Sequence, residues 1–382
     1  MALDMAMKQY ALDVQEELKQ LIRDLCAIPA PSHHEEKRAE FCKNWFEQAG
    51  GKGVYIDAAL NVVCPWGVTD DKPIVVVMAH MDTVFPDTEP MLFREDDERF
   101  YCPGVCDDTA QLAQLMVLAR YFMNSCPVPE HLGVLFVANS CEEGLGNLKG
   151  SRQIVKDYGI QMKEFVTIDA SRFVSVCNEA VGSHRYRVTV KTEGGHSFGA
   201  FGNRNAIRCL ASMIDALYSV KVPQDGNSKT TYNVGTISGG TSVNTIAQEA
   251  QMLYEYRSDS RVCLAKMEEM FSALVAAYNA MGIEVIAEKI GDRPCTGGVD
   301  PAREQAMVDR AAAAMGRQLG FAPEVHSGST DCNIPLSVGI PAIAIGGCKG
   351  VGVHTREEYL ELNTLEPGLR FVMDFLQETF YN

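Results

Sequence analysis

The sequence has no run of apolar residues long enough to cross a bilayer. Its longest apolar runs, IVVVMA at 74–79 and VLFVA at 134–138, are far shorter than the ~20 residues that a membrane-spanning helix needs. Acidic residues come early in the chain, and no apolar segment precedes a small-residue cleavage site, so we expect no secretory signal. We therefore expect a soluble, cytosolic protein that does not act at a membrane.

Basic residues are outnumbered, because 50 Asp and Glu stand against 34 Lys and Arg, for a net charge of −16. Such a chain repels nucleic acid and anionic membranes on average, so we expect neither as a partner. The 13 cysteines are odd in number and never form a CxxC pair, which favours reduced thiols over a disulfide framework. The remaining composition, 46% hydrophobic and 22% charged, is that of an ordinary globular protein.

The 382 residues are enough for two or three domains of ~150 residues each. Apolar strands alternate with helical patterns up to about residue 183 and again from about residue 293, which predicts an α/β fold. The stretch between them follows a β-α-β-β-α-β order, the ferredoxin-like split arrangement. We therefore predict an α/β domain made of residues 1–183 and 293–382, with residues 184–292 inserted as a separate α+β domain.

His80 stands directly after the apolar run IVVVMA, and Asp82 follows two residues later. In parallel α/β sheets, ligands gather beyond the carboxyl ends of the strands, so His80 is a candidate metal ligand. Asp82 would accept the proton on the other ring nitrogen and fix the tautomer of the imidazole. The alternative is a strand-end histidine that a nearby aspartate simply satisfies.

Further candidates lie just past apolar strands or in the adjoining turns: Asp107, Glu142, Glu143, Asp169 and His354. An aspartate in the turn before a helix can merely cap that helix, and a glutamate pair can lie in a surface loop. Two adjacent carboxylates at a strand end, however, repel each other unless a cation lies beside them. Because all these residues should share one edge of one sheet, they predict a common site.

The candidate set combines imidazole and carboxylate groups without a thiolate, which suits zinc, cobalt or manganese better than calcium. Five such groups serve two metal ions if one carboxylate bridges them. Two ions ~3.5–4 Å apart activate a shared hydroxide and polarise a carbonyl, the usual arrangement for amide hydrolysis. One glutamate is then left over to act as a base.

The motifs resemble those of the dinuclear-zinc metallopeptidases that include glutamate carboxypeptidase, peptidase T, aminoacylase and acetylornithine deacetylase. The resemblance covers nearly the whole chain and rests on HMD at 80–82, DD at 107–108, EE at 142–143, Asp169 and His354, in the family's order. It implies a zinc-exopeptidase-like catalytic domain with three α/β/α layers and an inserted ferredoxin-like domain that serves as a lid and dimerisation surface. A homodimer is therefore expected.

The resemblance also implies the role of each residue in the candidate metal centre. The bridging carboxylate would be Asp107, one metal site would be completed by Glu143 and His354, and the other by His80 and Asp169. The peptide bond that follows Asp107 would be cis, as is typical of the family.

Two further residues take roles beside the metal ligands. Asp82 would orient His80. Glu142 matches the family's general base, which takes a proton from the bridging water and passes it to the leaving amine.

The inserted domain supplies three residues that match substrate-binding positions of the family. His196, in GGHSF, would stabilise the developing oxyanion, while Asn244 and Arg257 would hold a substrate carboxylate, for which a planar guanidinium is well suited. The alternatives are a turn histidine with a local partner and an arginine in a surface ion pair.

The sequence therefore predicts an enzyme, a metal-dependent amide hydrolase that acts as an exopeptidase on di-/tripeptides or short peptides, with two divalent ions. An N-acyl-amino-acid deacylase on the same fold needs the same metals and stays open as an alternative. A non-catalytic metal-binding scaffold is a more remote one. Many relatives follow the bridging aspartate with a Lys-Gly pair, where this chain has Asp108-Thr109-Ala110, so substrate specificity does not follow from the resemblance.

Overall fold

The computed structural model describes residues 5–170 and 172–382, which form two compact units. The first contains the chain up to Ala180 and from Gly297 onward, and the second is Val181–Thr296. The second unit contains all of residues 184–292.

The described part of the first unit begins with three helices and five strands, after which helices and strands largely alternate. All helices and strands of both units are numbered in chain order. The helices are α1 (Met5–Asp13), α2 (Gln15–Cys26), α3 (Glu36–Gln48), α4 (Ala110–Ser125), α5 (Lys149–Tyr158), α6 (Ala206–Tyr218), α7 (Arg261–Ala280), α8 (Pro301–Leu319), α9 (Asn333–Ser337) and α10 (Leu365–Tyr381). The strands are β1 (Tyr55–Ile56), β2 (Val62–Trp66), β3 (Ile74–His80), β4 (Arg94–Glu95), β5 (Arg99–Tyr101), β6 (Gly133–Asn139), β7 (Met162–Ile168), β8 (Ser175–Ala180), β9 (Gly182–Lys191), β10 (Gly195–His196), β11 (Thr230–Gly239), β12 (Thr245–Ile246), β13 (Glu249–Ser258), β14 (Glu284–Arg293), β15 (Glu324–Gly328), β16 (Ala342–Ile345), β17 (Gly350–Val351) and β18 (Tyr359–Glu361).

The first unit is built on an eight-stranded sheet in the order β1-β2-β6-β3-β7-β16-β8-β15. The four central strands β6, β3, β7 and β16 run parallel, with Val77 of β3 opposite Phe136 of β6 and Val166 of β7. Every residue of β3 and β6 is buried. Parallel strands covered on both faces have near-continuous apolar sequences, which is why these two were visible in the sequence.

Helices cover both faces of this sheet. Side chains alternate along a strand, so Val75 and Val77 join the core formed with α2, α4, α8 and α10, while Val76 and Met78 join the core formed with α5 and α9. The first unit is therefore the predicted three-layer α/β/α domain, and its mixed α/β character is confirmed.

The second unit has a four-stranded antiparallel sheet in the order β11-β13-β9-β14. The short strands β10 and β12 form a separate antiparallel pair. Met252 and Tyr254 of β13 are buried in a core with Met213 of α6 and Phe271 of α7. The main elements follow the order β-α-β-β-α-β, as the sequence pattern predicts.

Some elements were not visible in the sequence. A small sheet, β17-β18-β5-β4, consists of strands of two or three residues, too short for a periodic pattern. Near the start of the described chain, α1 and α2 are separated only by Val14, whose N–H donates to the main-chain oxygen of Tyr10 and whose oxygen accepts the N–H of Leu18. Among the described residues, no helix is both long and apolar enough to span a bilayer.

Candidate active site

The carboxyl ends of the four central parallel strands carry the candidate residues of the first unit. His80 is the last residue of β3, Glu142 and Glu143 follow β6, and Asp169 directly follows β7. The segment after β16 leads to His354, whose backbone has a positive φ of 65°. Because neighbouring parallel strands end at the same edge of a sheet, residues far apart in the chain come together there.

Asp107 lies at the centre of this group, in the turn before α4. Its Oδ1 is 3.0 Å from Nε2 of His80, and its Oδ2 is 3.0 Å from Nε2 of His354. The same His354 nitrogen is 3.1 Å from Oε1 of Glu143. Each oxygen of this one carboxylate thus faces a different imidazole. The Asp107–Asp108 peptide bond is cis, as the resemblance implies.

Two overlapping groups of side chains have their ligand atoms within 4.8 Å of one another: His80, Asp107 and Glu143, and His80, Asp108 and Asp169. Asp108 already accepts the main-chain N–H of His80 at 2.9 Å and the side-chain amide of Gln111 at 2.6 Å. Asp108 is therefore engaged in holding the protein chain. The other carboxylate of this group, Asp169, is the one that the sequence named as a candidate ligand.

Asp82 is fully buried and lies behind His80. Nδ1 of His80 is 2.9 Å from the main-chain oxygen of Asp82 and 3.5 Å from its carboxylate. The shorter contacts of this carboxylate are to the main-chain N–H groups of Glu142 and Glu143, both at 2.9 Å, and to the hydroxyl of Ser32 at 2.7 Å. Asp82 thus fixes the position of both glutamates as well as the ring of His80.

The electrostatics of the site are those of crowded carboxylates and imidazoles. Burial alone would raise the pKa of Asp107, but its hydrogen bonds to His354 and His80 outweigh burial and hold that pKa below its usual range. Burial raises the pKa of Glu143 to about 7, although His354 lowers it. Hydrogen bonds to Asp107 and Glu143 raise the pKa of His354 to about 10. Asp169 has a raised pKa because it is buried near other acids.

These groups suit divalent metal ions. Imidazole nitrogens and carboxylate oxygens, without a thiolate, are the donors that zinc, cobalt and manganese share. Cations beside Glu143 and Asp169 would offset both the burial and the neighbouring acids that raise the pKa values of these two residues. The donor set of this edge therefore fits a metal centre.

The sequence did not reveal Glu358, which the structure places behind Asp107. Its buried carboxylate accepts main-chain N–H groups from Gly104 at 2.8 Å, Cys106 at 2.8 Å and Asp107 at 3.1 Å. Glu358 thereby connects the turn that carries Asp107 to the segment that carries His354. The only signal in the sequence was its position four residues after His354, in a run with the equally acidic Glu357.

Replacing Glu358 by alanine should loosen the turn that presents Asp107. The change leaves three main-chain N–H groups without their acceptor, and each such buried group costs about 1–3 kcal/mol. We expect a lower melting temperature and a roughly 10–100-fold weaker affinity for metal, as when groups behind metal ligands are removed. Metal titration followed by inductively coupled plasma mass spectrometry measures the second effect. Glu357→Ala is the matched control, since Glu357 is the exposed neighbour; equal metal affinity in both variants would contradict the role of Glu358.

Asp331, in the loop STDCN, is another buried acid that sequence reasoning left without a role. Its Oδ2 accepts the side-chain amide of Asn139, at the end of β6, at 2.6 Å. The pKa of Asp331 is raised to about 7, chiefly by burial and also by the nearby Glu142, while His80 acts to lower it. This contact ties the 329–333 loop to the same edge of the sheet.

The three substrate-binding candidates of the inserted region all lie in the second unit. Nδ1 of His196 accepts the main-chain N–H groups of Phe198 and Gly199 at 3.3 and 3.2 Å, so Nε2 is the nitrogen that carries a proton. Asn244 is exposed, and its main-chain oxygen accepts the N–H of Ser197.

Arg257 makes two hydrogen bonds of 3.0 Å to Glu255 on the same strand. The roles of these three residues toward a substrate, and of residues 184–292 as a lid and dimerisation domain, stay predictions.

The fold and this site define an α/β protein with a candidate metal centre at the carboxyl edge of its parallel strands. The chain belongs to peptidase family M20/M25/M40, whose model matches residues 76–378. A curated relative, a probable carboxypeptidase of Trichophyton verrucosum, is 25% identical over 222 residues, which are 54% of this chain and 47% of the relative. The chain thus matches about half the length of that relative.

Solved structures of similar proteins cover nearly the whole chain. A tripeptidase of Staphylococcus aureus has 22% sequence identity and a TM-score of 0.77, over 95% of this chain and 98% of its own. A protein of Bacillus subtilis, described as a dinuclear metal binding peptidase of family M20, has 16% identity and a TM-score of 0.65, over 99% of each chain. At these identities, the structural similarity establishes the fold.

Proposed function

We propose that this protein is a metal-dependent exopeptidase that hydrolyses di-/tripeptides or short peptides with two divalent ions, most simply zinc. The observation that carries the proposal is the position of Asp107, whose two oxygens each lie 3.0 Å from a different histidine. Membership of the M20 peptidase family, and similarity to a tripeptidase structure, support a peptide as the substrate.

Five residues would hold the two ions. Asp107 would bridge them, with Glu143 and His354 on one side and His80 and Asp169 on the other. When bound, such ions supply Lewis acidity toward an amide carbonyl and lower the pKa of water. Cobalt and manganese share the same donor preferences and could replace zinc in an assay.

Glu142 is the residue best placed to move protons. It is almost fully buried, with 6% of its surface exposed, directly beside the ligand Glu143. Its main-chain N–H donates to Asp82, which also accepts the N–H of Glu143. In the proposed reaction, Glu142 takes a proton from the attacking water and delivers it to the leaving amine.

The second unit would supply substrate contacts. Nε2 of His196 is a hydrogen-bond donor, because Nδ1 accepts two main-chain N–H groups, and a donor is what an oxyanion requires. Arg257, although paired with Glu255, has a guanidinium whose fork geometry matches a carboxylate. A free carboxyl terminus of a peptide is thus the group that we propose Asn244 and Arg257 recognise.

A depletion screen by mass spectrometry tests this function. The protein, loaded with zinc or cobalt, is incubated with a mixture of free peptides and N-acyl amino acids. We expect peptides to disappear and a chelator to stop the loss, since the ions are required for hydrolysis. The Glu142→Gln variant serves as the blank.

Two results would contradict the proposal. Loss of N-acyl amino acids alone would assign the protein to the deacylases of this fold. Peptide loss that continues at full rate after chelation and dialysis would exclude a metal-dependent reaction.

A further inference from the structure

Gln111 is a fully buried polar residue in the first turn of α4. It lies three residues after Asp108, on a helix whose other buried side chains are mostly apolar. A buried amide destabilises the folded state unless its donors and its acceptor have hydrogen-bond partners.

The amide nitrogen of Gln111 faces the turn that carries Asp107. It donates to the carboxylate of Asp108 at 2.6 Å and to the main-chain oxygen of Cys106 at 3.2 Å. These two residues flank Asp107 on either side. The second oxygen of Asp108 accepts the main-chain N–H of His80 at 2.9 Å, so the contact also reaches the end of β3.

The amide oxygen of Gln111 faces two other strand ends. It accepts the main-chain N–H of Gly347 at 2.8 Å and that of Ala170 at 3.4 Å. Ala170 directly follows Asp169, and Gly347 lies in the segment that leads from β16 to His354. Since these partners are donors and the other two are acceptors, the amide has only one orientation that satisfies all four contacts.

We propose that Gln111 is a positioning residue that sets the spacing of the metal ligands, in particular of Asp107, His80 and Asp169. This one side chain hydrogen-bonds to both neighbours of Asp107 and to the residue after Asp169. Through Asp108 it also reaches the main chain of His80. The inference rests on the proposed metal centre, which it deepens. The four hydrogen bonds of Gln111 go to the Asp108 carboxylate and to the main chain of Cys106, Gly347 and Ala170, so it would act through residues that flank the five proposed ligands.

The chemistry of an amide is required for this role. Leucine would fill a similar volume but would leave two N–H groups and two acceptors without partners. Glutamate would keep the acceptor toward Gly347 and Ala170 but would place an oxygen against the carboxylate of Asp108. At this side-chain length, only glutamine offers two N–H donors and an oxygen that accepts two hydrogen bonds.

The test compares cobalt binding by the full-length wild type and by Gln111→Leu. Affinity is measured by competition with a chelating dye, and ligand geometry by the visible absorption of bound cobalt. We expect Gln111→Leu to bind cobalt about 10–100-fold more weakly, with a changed absorption spectrum. In peptide turnover, kcat should fall while KM stays the same, because Gln111 does not contact the substrate.

Gln114→Leu is the matched control. Gln114 is a buried glutamine one turn further along α4, and it donates to the main-chain oxygens of Gly347 and Leu365. We expect Gln114→Leu to lower the melting temperature as much as Gln111→Leu does. It should leave the cobalt affinity and the absorption spectrum of bound cobalt unchanged. If Gln111→Leu does not fold, Gln111→Glu replaces it, with the same expected loss of affinity.

The outcomes separate this inference from the proposed function. A wild type that takes up no cobalt overturns both. If the wild type binds two cobalt ions and the Gln111 variant binds them with the same affinity and the same spectrum, only the inference is overturned. Equal weakening by Gln114→Leu also overturns it, since the effect would then reflect general destabilisation.

Discussion

Replacing Asp107 by alanine should abolish peptide hydrolysis and the binding of at least one of the two metal ions. The two oxygens of its carboxylate each face a different histidine, His80 and His354. Several kcal/mol of transition-state stabilisation come from metal ions in such sites, and each 1.4 kcal/mol is tenfold in rate. We therefore expect kcat/KM to fall by roughly 1,000-fold or more.

Thermal unfolding checks the same variant without an assay of activity. A ligand that binds only the folded state raises its melting temperature, so added zinc or cobalt should stabilise the wild type. The rise should be absent or much smaller in Asp107→Ala. Asp97→Ala, at an exposed aspartate ten residues earlier, is the control and should respond to metal like the wild type. An undiminished response in Asp107→Ala would remove Asp107 from the ligand set.

Replacing Glu142 by glutamine should separate metal binding from catalysis. The change is isosteric, and the main-chain N–H that Asp82 holds is retained. Two cobalt ions should therefore still bind, while turnover falls by about 100–10,000-fold, the usual contribution of a general acid–base. Metal content by mass spectrometry and kcat on a susceptible tripeptide are the two measurements.

The control for this variant is Glu130→Gln, which removes the charge of an exposed glutamate. It should keep both metal content and turnover. If Glu142→Gln turned over peptides at the normal rate, Glu142 would not be the base. If it lost its metal as well, Glu142 would be a ligand rather than a base.

Much of the first unit could be predicted because its signals are local. The strands β3 and β6 are buried on both faces, so they appear in the sequence as apolar runs, and His80 and the Glu142–Glu143 pair mark where they end. The same reasoning placed the helix α4 behind the Asp107 turn. Each of these conclusions depends on residues within ten positions of one another.

Glu358 and Gln111 could not be found in this way, because their hydrogen bonds span long stretches of chain. Glu358 accepts the N–H of Gly104 from 254 residues away, and Gln111 accepts that of Gly347 from 236 residues away. A buried glutamine or glutamate has no periodic signature that separates it from an exposed one. Asp82 was named for its contact with His80, yet its hold on the N–H groups of the two glutamates needed the fold.

By itself, the sequence determined the alternation of strands and helices, the inserted α+β unit and the residue types of the candidate centre, since hydrophobic periodicity and residue chemistry are properties of short segments. Only the tertiary structure decided that β6, β3, β7 and β16 are neighbours and that Asp107 lies between two histidines. Strand order and side-chain direction depend on which distant segments pack together, and that packing brings the candidate ligands together from five separate parts of the chain.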